Sequence, residues 1–157
     1  MSIKEKFKKD EWELLKVLPF QVFLMVAASD ADVDKRELEE FDKDLKGAPF
    51  YKDALHRDLL LDVLTSDINA LLKQAMDTTK FAERIRRMKS ILQAKLTVEE
   101  YQRFVGSVFI DGIKIARASG GRPTGEGANV SEDEKRALVA LAALFDVDMS
   151  SLSKYYG

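Results

Sequence analysis

The sequence predicts an all-α protein, a single-domain helical bundle of about seven or eight helices with two pseudo-repeated helix–loop–helix hairpins. Three observations lead there. Apolar residues recur at three- and four-residue spacing almost throughout, as in Trp12, Leu15 and Leu18 or Val22, Phe23 and Val26. That is the period of helices that each bury one face. Capping residues and glycines punctuate the chain where those periodic runs begin and end. No run alternates apolar and polar residues between turn signals, so no strand is expected. At 157 residues and 46% apolar, the chain is long enough to bury one core.

The elements follow in order. Trp12, Leu15 and Leu18 mark a first helix. Pro19 falls in the first turn of a second, where its missing N–H costs little, and the chain bends at Leu18. A third helix is expected from Asp34 to about Lys46, stopped by Gly47. Tyr51 to Leu64 carries Leu55, Leu59 and Val63, and Ser66 caps a segment holding Ile68, Leu71, Leu72 and Ala75. Phe81 to Lys95 carries Ile85, Met88, Ile91 and Leu92. Thr97 and Glu100 form a capping box for a long helix through Phe104, Val108, Ile115 and Ala118. Ser131 and Glu134 form another, opening "EDEKRALVALAALF", and a short final turn starts at Asp148. "SGGRPTGEGAN", residues 119–129, has four glycines and a proline and reads as a loop.

The two hairpins, about 10–46 and about 97–146, align with each other. Leu14, Leu15, Leu18, Phe23 and Val26 fall on Phe104, Val105, Val108, Ile113 and Ala116. Ala28 and Ser29 match Ala118 and Ser119, an offset of 90 residues, whereas Val33 and Glu37 match Val130 and Glu134, an offset of 97. The glycine-rich loop is therefore a seven-residue insertion in the second copy.

Composition narrows the function. The net charge of −2 gives no pull toward nucleic acid. With no cysteine, disulfides, thiolate zinc sites and cysteine nucleophiles are excluded, and one histidine removes paired-histidine chemistry. That histidine, His56, has no ligand-spaced neighbour and is expected at or near the surface. The N-terminal "MSIKEKFKKDEWELLK" lacks an apolar h-region, and the longest apolar run, Val17 to Ala28, is too short to span a bilayer. A cytoplasmic protein with no membrane insertion is expected. "RIRRMKS", residues 84–90, puts Arg84 and Arg87 on one face with Lys95, read as a solvated basic face. Gly120 and Gly125 have Walker-like spacing, but Glu126 and Gly127 stand where Lys and Ser/Thr are required, so the segment remains a loop.

The candidate site lies in "AASDADVDKRELEEF", residues 27–41. Asp34 as N-cap with Glu37 three residues on is explained by helix initiation, worth about 1 kcal/mol. Asp30 and Asp32 are not. Asp30 sits at a helix C-terminus, where the macrodipole disfavours anions by roughly 0.3–1 kcal/mol. Aspartates at alternate positions repel, at roughly 0.7 kcal/mol for each pair about 6 Å apart even in water. A divalent cation reverses both penalties, because Ca²⁺ and Mg²⁺ take carboxylate and carbonyl oxygens. An EF-hand is excluded, since its sixth position, a glycine, is Lys35 here and its twelfth, a bidentate glutamate, is Phe41.

"VAASDADVDKRE" closely resembles the tellurite-resistance TerB-like family, also seen in the N-terminal cytoplasmic domain of certain membrane-anchored DnaJ co-chaperones. Its pattern is an apolar helix ending in a small-residue–Asp–Gly turn, then a hydrophobic residue, then a Glu in the next helix. The resemblance covers essentially the whole chain and implies two such hairpins in a helical bundle. It also implies divalent-metal binding by acids of both hairpins, in stress responses involving tellurite or other toxic agents. Asp30 and Glu37 match the first motif's acids and Glu134 the second motif's Glu. Ala31 replaces the turn glycine, and Gly120 stands where the second motif has Asp, leaving Glu126, Glu132 and Asp133 as nearby acids.

The expected function is thus a non-enzymatic TerB-like protein holding a divalent cation through Asp30, Asp32, Asp34, Glu37 and Glu134. Ca²⁺, Mg²⁺ or Mn²⁺ is preferred over Zn²⁺, a protein partner is expected and oligomeric state is left open. The rival is a metal-independent protein–protein interaction module that docks through the acidic loop. A metal-dependent hydrolase is the third reading, with fewer visible ligands than such sites need.

Overall fold

The computed structural model describes residues 2–27, 35–120 and 132–147. Among them are eight α-helices, joined in places by short 3₁₀ turns, and no strand. The expectations at Asp30, Asp32 and Asp34, at 121–129 of the expected loop, at Ser131 and at Asp148 fall outside the described residues, while the first two residues of that expected loop, Ser119 and Gly120, are helical.

Helix α1, Lys9–Leu15, opens with Glu11 Oε1 accepting from the Lys8 N–H at 2.8 Å. Its Trp12 is buried and donates from Nε1 to Asp62 at 2.8 Å. Helix α2, Leu18–Ala27, starts with Pro19 in its first turn, as the sequence predicts. It is buried on nearly every side and runs through the middle of the bundle. Helix α3, Lys35–Lys46, lays Phe41 flat on Phe23, centroids 4.6 Å apart, and edge-on to Phe20 at 5.3 Å.

A 3₁₀ turn, Ala48–Phe50, leads to α4, Ala54–Leu64. This helix begins three residues later than the apolar pattern suggests, because Asp53 takes the N-cap and accepts from the His56 N–H at 2.9 Å. Asp67, not Ser66, likewise caps α5, Ile68–Met76, accepting from the Ala70 N–H at 3.1 Å. Ser66 instead gives its hydroxyl proton to the Asp62 carbonyl at 2.6 Å. Helix α6 spans Phe81–Lys95.

Helix α7, Val98–Gly120, opens with the expected capping box: Glu100 accepts from the Thr97 N–H at 2.9 Å and Thr97 Oγ1 from the Glu100 N–H at 3.1 Å. Helix α8, Glu132–Leu144, ends without a glycine. Asp146 takes φ of 53°, a left-handed geometry that aspartate tolerates better than most residues. The Val147 N–H then reaches the Ala142 carbonyl at 2.9 Å, a Schellman closure.

Helix α7 is the hub, packed against α2, α3, α4, α6 and α8. One hydrophobic cluster joins Phe20, Leu59, Met88, Phe104, Phe109 and Leu141 from five helices. Each such side chain contributes about 1.5–3 kcal/mol when fully buried. Gly112 lets α7 approach its neighbours closely, for a Cβ there would meet Leu138 Cδ2 at 3.3 Å and Val22 Cγ1 at 3.4 Å. No helix among the described residues is long and apolar enough to cross a membrane.

Candidate functional site

Of the acids the sequence nominates, Glu37 and Glu134 lie within the described residues. Both are buried, at 3% and 2% exposure, each in the first turns of the helix that follows its loop. Glu132 and Asp133, the possible substitutes in the second hairpin, are exposed. Among the described residues, no group of three or more His, Asp or Glu side chains is gathered closely enough to hold a metal ion.

A second acidic region, which the sequence reading passed over, lies where α3, α4 and α7 meet. A cleft of about 1230 Å³ opens there, with Glu40, Asp44, Tyr51, Ser107, Asp111 and Lys114 among its lining. Glu40 and Asp44 are one turn apart on α3. Ser107, Asp111 and Lys114 follow one stripe of α7, and the turn after α3 carries Tyr51 over them.

Asp111 is the centre of this region. The Tyr51 hydroxyl lies 2.9 and 2.8 Å from its two oxygens and donates to the carboxylate. His56 Nε2 lies 3.4 Å from Asp111 Oδ2, while His56 Nδ1 is 2.6 Å from Ser107 Oγ. Because ionised Asp111 can only accept, the imidazole proton belongs on Nε2, and Nδ1 accepts from the Ser107 hydroxyl. Tyr51 and Phe104 meet the ring edge-on, at 4.7 and 5.8 Å. His56 is therefore a core residue, 2% exposed, and not the surface or near-surface residue expected from its lack of ligand-spaced neighbours.

Burial governs the ionisation here. It holds Asp44 protonated up to about 8, aided by the charges of Asp111 and Glu40 and a hydrogen bond to Glu40, with Lys114 opposing. Burial also raises Asp111 to about 6, against the Tyr51 hydrogen bond and the charge of Lys114. The Tyr51 phenol is pushed above its ordinary range by burial and the adjoining acids. His56 goes the other way, down to about 3, because burial penalises its cation and Lys114 adds repulsion.

Ser107, His56 and Asp111 stand in the order nucleophile, imidazole, acid. Two features separate them from a hydrolytic triad. An imidazole whose pKa lies near 3 is a poor base at neutral pH. Ser107 sits inside α7, where the neighbouring backbone N–H groups are committed to the helix and cannot form an oxyanion hole. The arrangement satisfies buried polar groups and fixes Asp111 in place.

The basic cluster on α6 also has structural partners. Arg84 donates to Gln21 Oε1 at 3.1 and 2.8 Å and to the Asp77 carbonyl at 2.9 Å. Arg87 pairs with Asp10 at 3.3 Å and Lys95 with Glu11 at 3.7 Å, so this face docks onto α1 and α2 and is not merely solvated.

A signal for the cleft existed in the sequence. Asp111 is a lone acid within "VFIDGI", an apolar stretch, and Glu40 with Asp44 repeats at one-turn spacing. Neither reveals that the two helices face each other. Set against known proteins, the chain matches no family model, no curated protein and no solved structure.

Proposed function

We propose that this chain is a non-enzymatic TerB-like module that binds a divalent cation through Asp30, Asp32, Asp34 and Glu37 of the first hairpin and Glu134 of the second. The observation that supports the reading is the burial of Glu37 and Glu134 at corresponding positions of the two repeats. A hard cation shared with the loop aspartates would draw on such withdrawn carboxylates, because these ions take oxygen ligands. On this reading the protein acts in the cytoplasm with a protein partner, in a response to tellurite or another toxic agent.

The test is a thermal melt of chelator-treated protein, alone and with Ca²⁺, Mg²⁺, Mn²⁺ or Zn²⁺, repeated on Asp30→Asn and Glu134→Gln. A cation at a hundredfold its dissociation constant stabilises the fold by roughly 2.7 kcal/mol. For a chain of this size that is a rise of about 5–10 °C. A rise specific to one cation and lost in both variants is the expected result. A response no larger than that of matched ionic strength would sink the cation reading and favour docking through the acidic loop.

A further inference from the structure

The cleft between α3, α4 and α7 has acceptors to spare. Asp44 is 8% exposed and, while protonated, hydrogen-bonds Glu40, yet once ionised its Oδ2 has no hydrogen-bond partner among the described residues. Native structures rarely leave such an atom unsatisfied. Asp44 lines both the cleft and a cavity of about 10 Å³ behind it, which Asp111 and His56 also line. That cavity is barely the size of one water, so the room for a ligand lies on the cleft side.

The charge at the cleft floor favours a cation once Asp44 has lost its proton. Three carboxyl groups, Glu40, Asp44 and Asp111, act on one another at the cleft floor. Lys114 is the cation that acts on both aspartates, but its Nζ rests 5.9 Å from the centroid of the Tyr51 ring and pairs with neither. Of the other basic residues along the cleft, Lys43 and Lys52 are exposed to solvent, while Arg57 and Arg103 face acids of their own. Arg57 lies 3.4 Å from Asp58, and Arg57 and Arg103 both act on Asp53.

The kind of cation follows from spacing and walls. The acids are too dispersed for one metal ion. A cation with several N–H donors spans wider gaps, and an aromatic face suits it. Tyr51 supplies such a face, and Phe50, 87% exposed, stands at the cleft rim. We propose that this cleft binds an organic cation bearing N–H donors, an alkylammonium or guanidinium group, with Asp44, Asp111 and Glu40 as acceptors and the Tyr51 ring as its wall. This site is independent of the loop acids.

Binding is linked to protons. Asp44 is faced by Glu40 and Lys43 of its own helix or its rim, by Asp111 and Lys114 of α7, by Tyr51 of the connecting turn and by His56 of α4. A cation favours the ionised carboxylate, so it must displace the proton that Asp44 keeps up to about 8. Affinity therefore rises about tenfold from pH 7 to pH 9, as the ionised fraction grows from about one-tenth to about nine-tenths.

Calorimetric titration of the full chain with butylamine and methylguanidine tests this, with tetramethylammonium and Mg²⁺ as controls. Short blocked peptides carrying a single lysine or arginine form a further arm. Saturable binding by an N–H-bearing cation, weakened at least tenfold by Asp44→Asn and by Asp111→Asn, is the expected result. Asp44→Asn keeps the side chain's shape and removes a buried ionisable group, and a circular dichroism melt confirms that it folds. Binding by the small amines identifies a free amine as the ligand class. Binding by the peptides alone identifies a side chain on a protein. The proposal fails if no N–H-bearing cation binds, or if Asp44→Asn leaves binding unchanged. It also fails if tetramethylammonium binds equally well or if Mg²⁺ competes for the same acids.

Discussion

In α2 the chain buries Gln21; ninety residues on, at the corresponding place in α7, it buries Asp111. Each is served by the segment between the hairpins. Gln21 accepts from Arg84 at 3.1 and 2.8 Å and donates to the Ala75 carbonyl at 3.3 Å, which uses both ends of a neutral amide. Asp111 takes its donor from Tyr51, with His56 Nε2 3.4 Å away, and carries its charge above about pH 6. The facing helices differ as well. Where α3 carries Glu40 and Asp44, α8 carries Ala137 and Leu141 at the matching positions. Leu141 closes on α7 at Gly112 and belongs to the core. A repeat can thus preserve helices and apolar positions while one face of α7 is sealed with carbon and the other is left open and ionisable.

Moving the chemistry of one copy into the other breaks this comparison most severely. Leu141→Asp gives α8 the acid of α3 without a cleft, and an uncompensated buried charge costs about 3–5 kcal/mol. Urea unfolding should show that loss, or no folded protein at all. A variant as stable as the parent would mean that α8 has water access comparable to that of α3. Next comes the seal on Gln21. Arg84→Met strips a charged donor from Gln21 Oε1 and from the Asp77 carbonyl, for about 3 kcal/mol, read as a lower denaturant midpoint. A change within a few tenths would show that water replaces the guanidinium and that Gln21 is not sealed.

The smallest effect sharpens the comparison through pH. A carboxyl whose pKa rises on folding holds its proton more tightly in the folded chain. Its stabilising effect is complete below the unfolded value near 3.8 and drains away as the pH climbs to the folded value, about 8 for Asp44. Asp111 completes its change by about 6. His56, depressed to about 3, works in the opposite direction and only below its unfolded value of 6.5. Between pH 6.5 and 8, Asp44 is therefore the member of this group still acting, and stability falls by about 2 kcal/mol across that window. In Asp44→Asn the decline disappears, so stability curves at pH 6.5 and 8 coincide. A decline that persists in the variant would assign it to other groups.

Local signals carried far along this chain. Thr97 and Glu100 announce α7, Pro19 marks the start of α2, and the two corresponding glutamates are readable at 37 and 134. Caps were less legible where two candidates stood side by side. Ser66 and Asp67 are both acceptable cap residues, and the choice rests on which oxygen can reach the Ala70 N–H. His56 misled for a different reason. It has no ligand-spaced neighbour in the sequence, because its partners Ser107 and Asp111 lie more than fifty residues away.

What the sequence by itself determined is the all-helical class, the order of the helices, the duplicated hairpin and the acids at its loops. Those depend on periodicity, capping and composition, which act over a few residues. The tertiary structure alone decided that Asp44 meets Asp111, that Arg84 seals Gln21, and that a cleft remains on one side of α7 and a closed core on the other. The reason is that an acid's solvation and ionisation depend on what faces it across a helix interface. Here that partner lies 67 residues along the chain, beyond the reach of any local pattern.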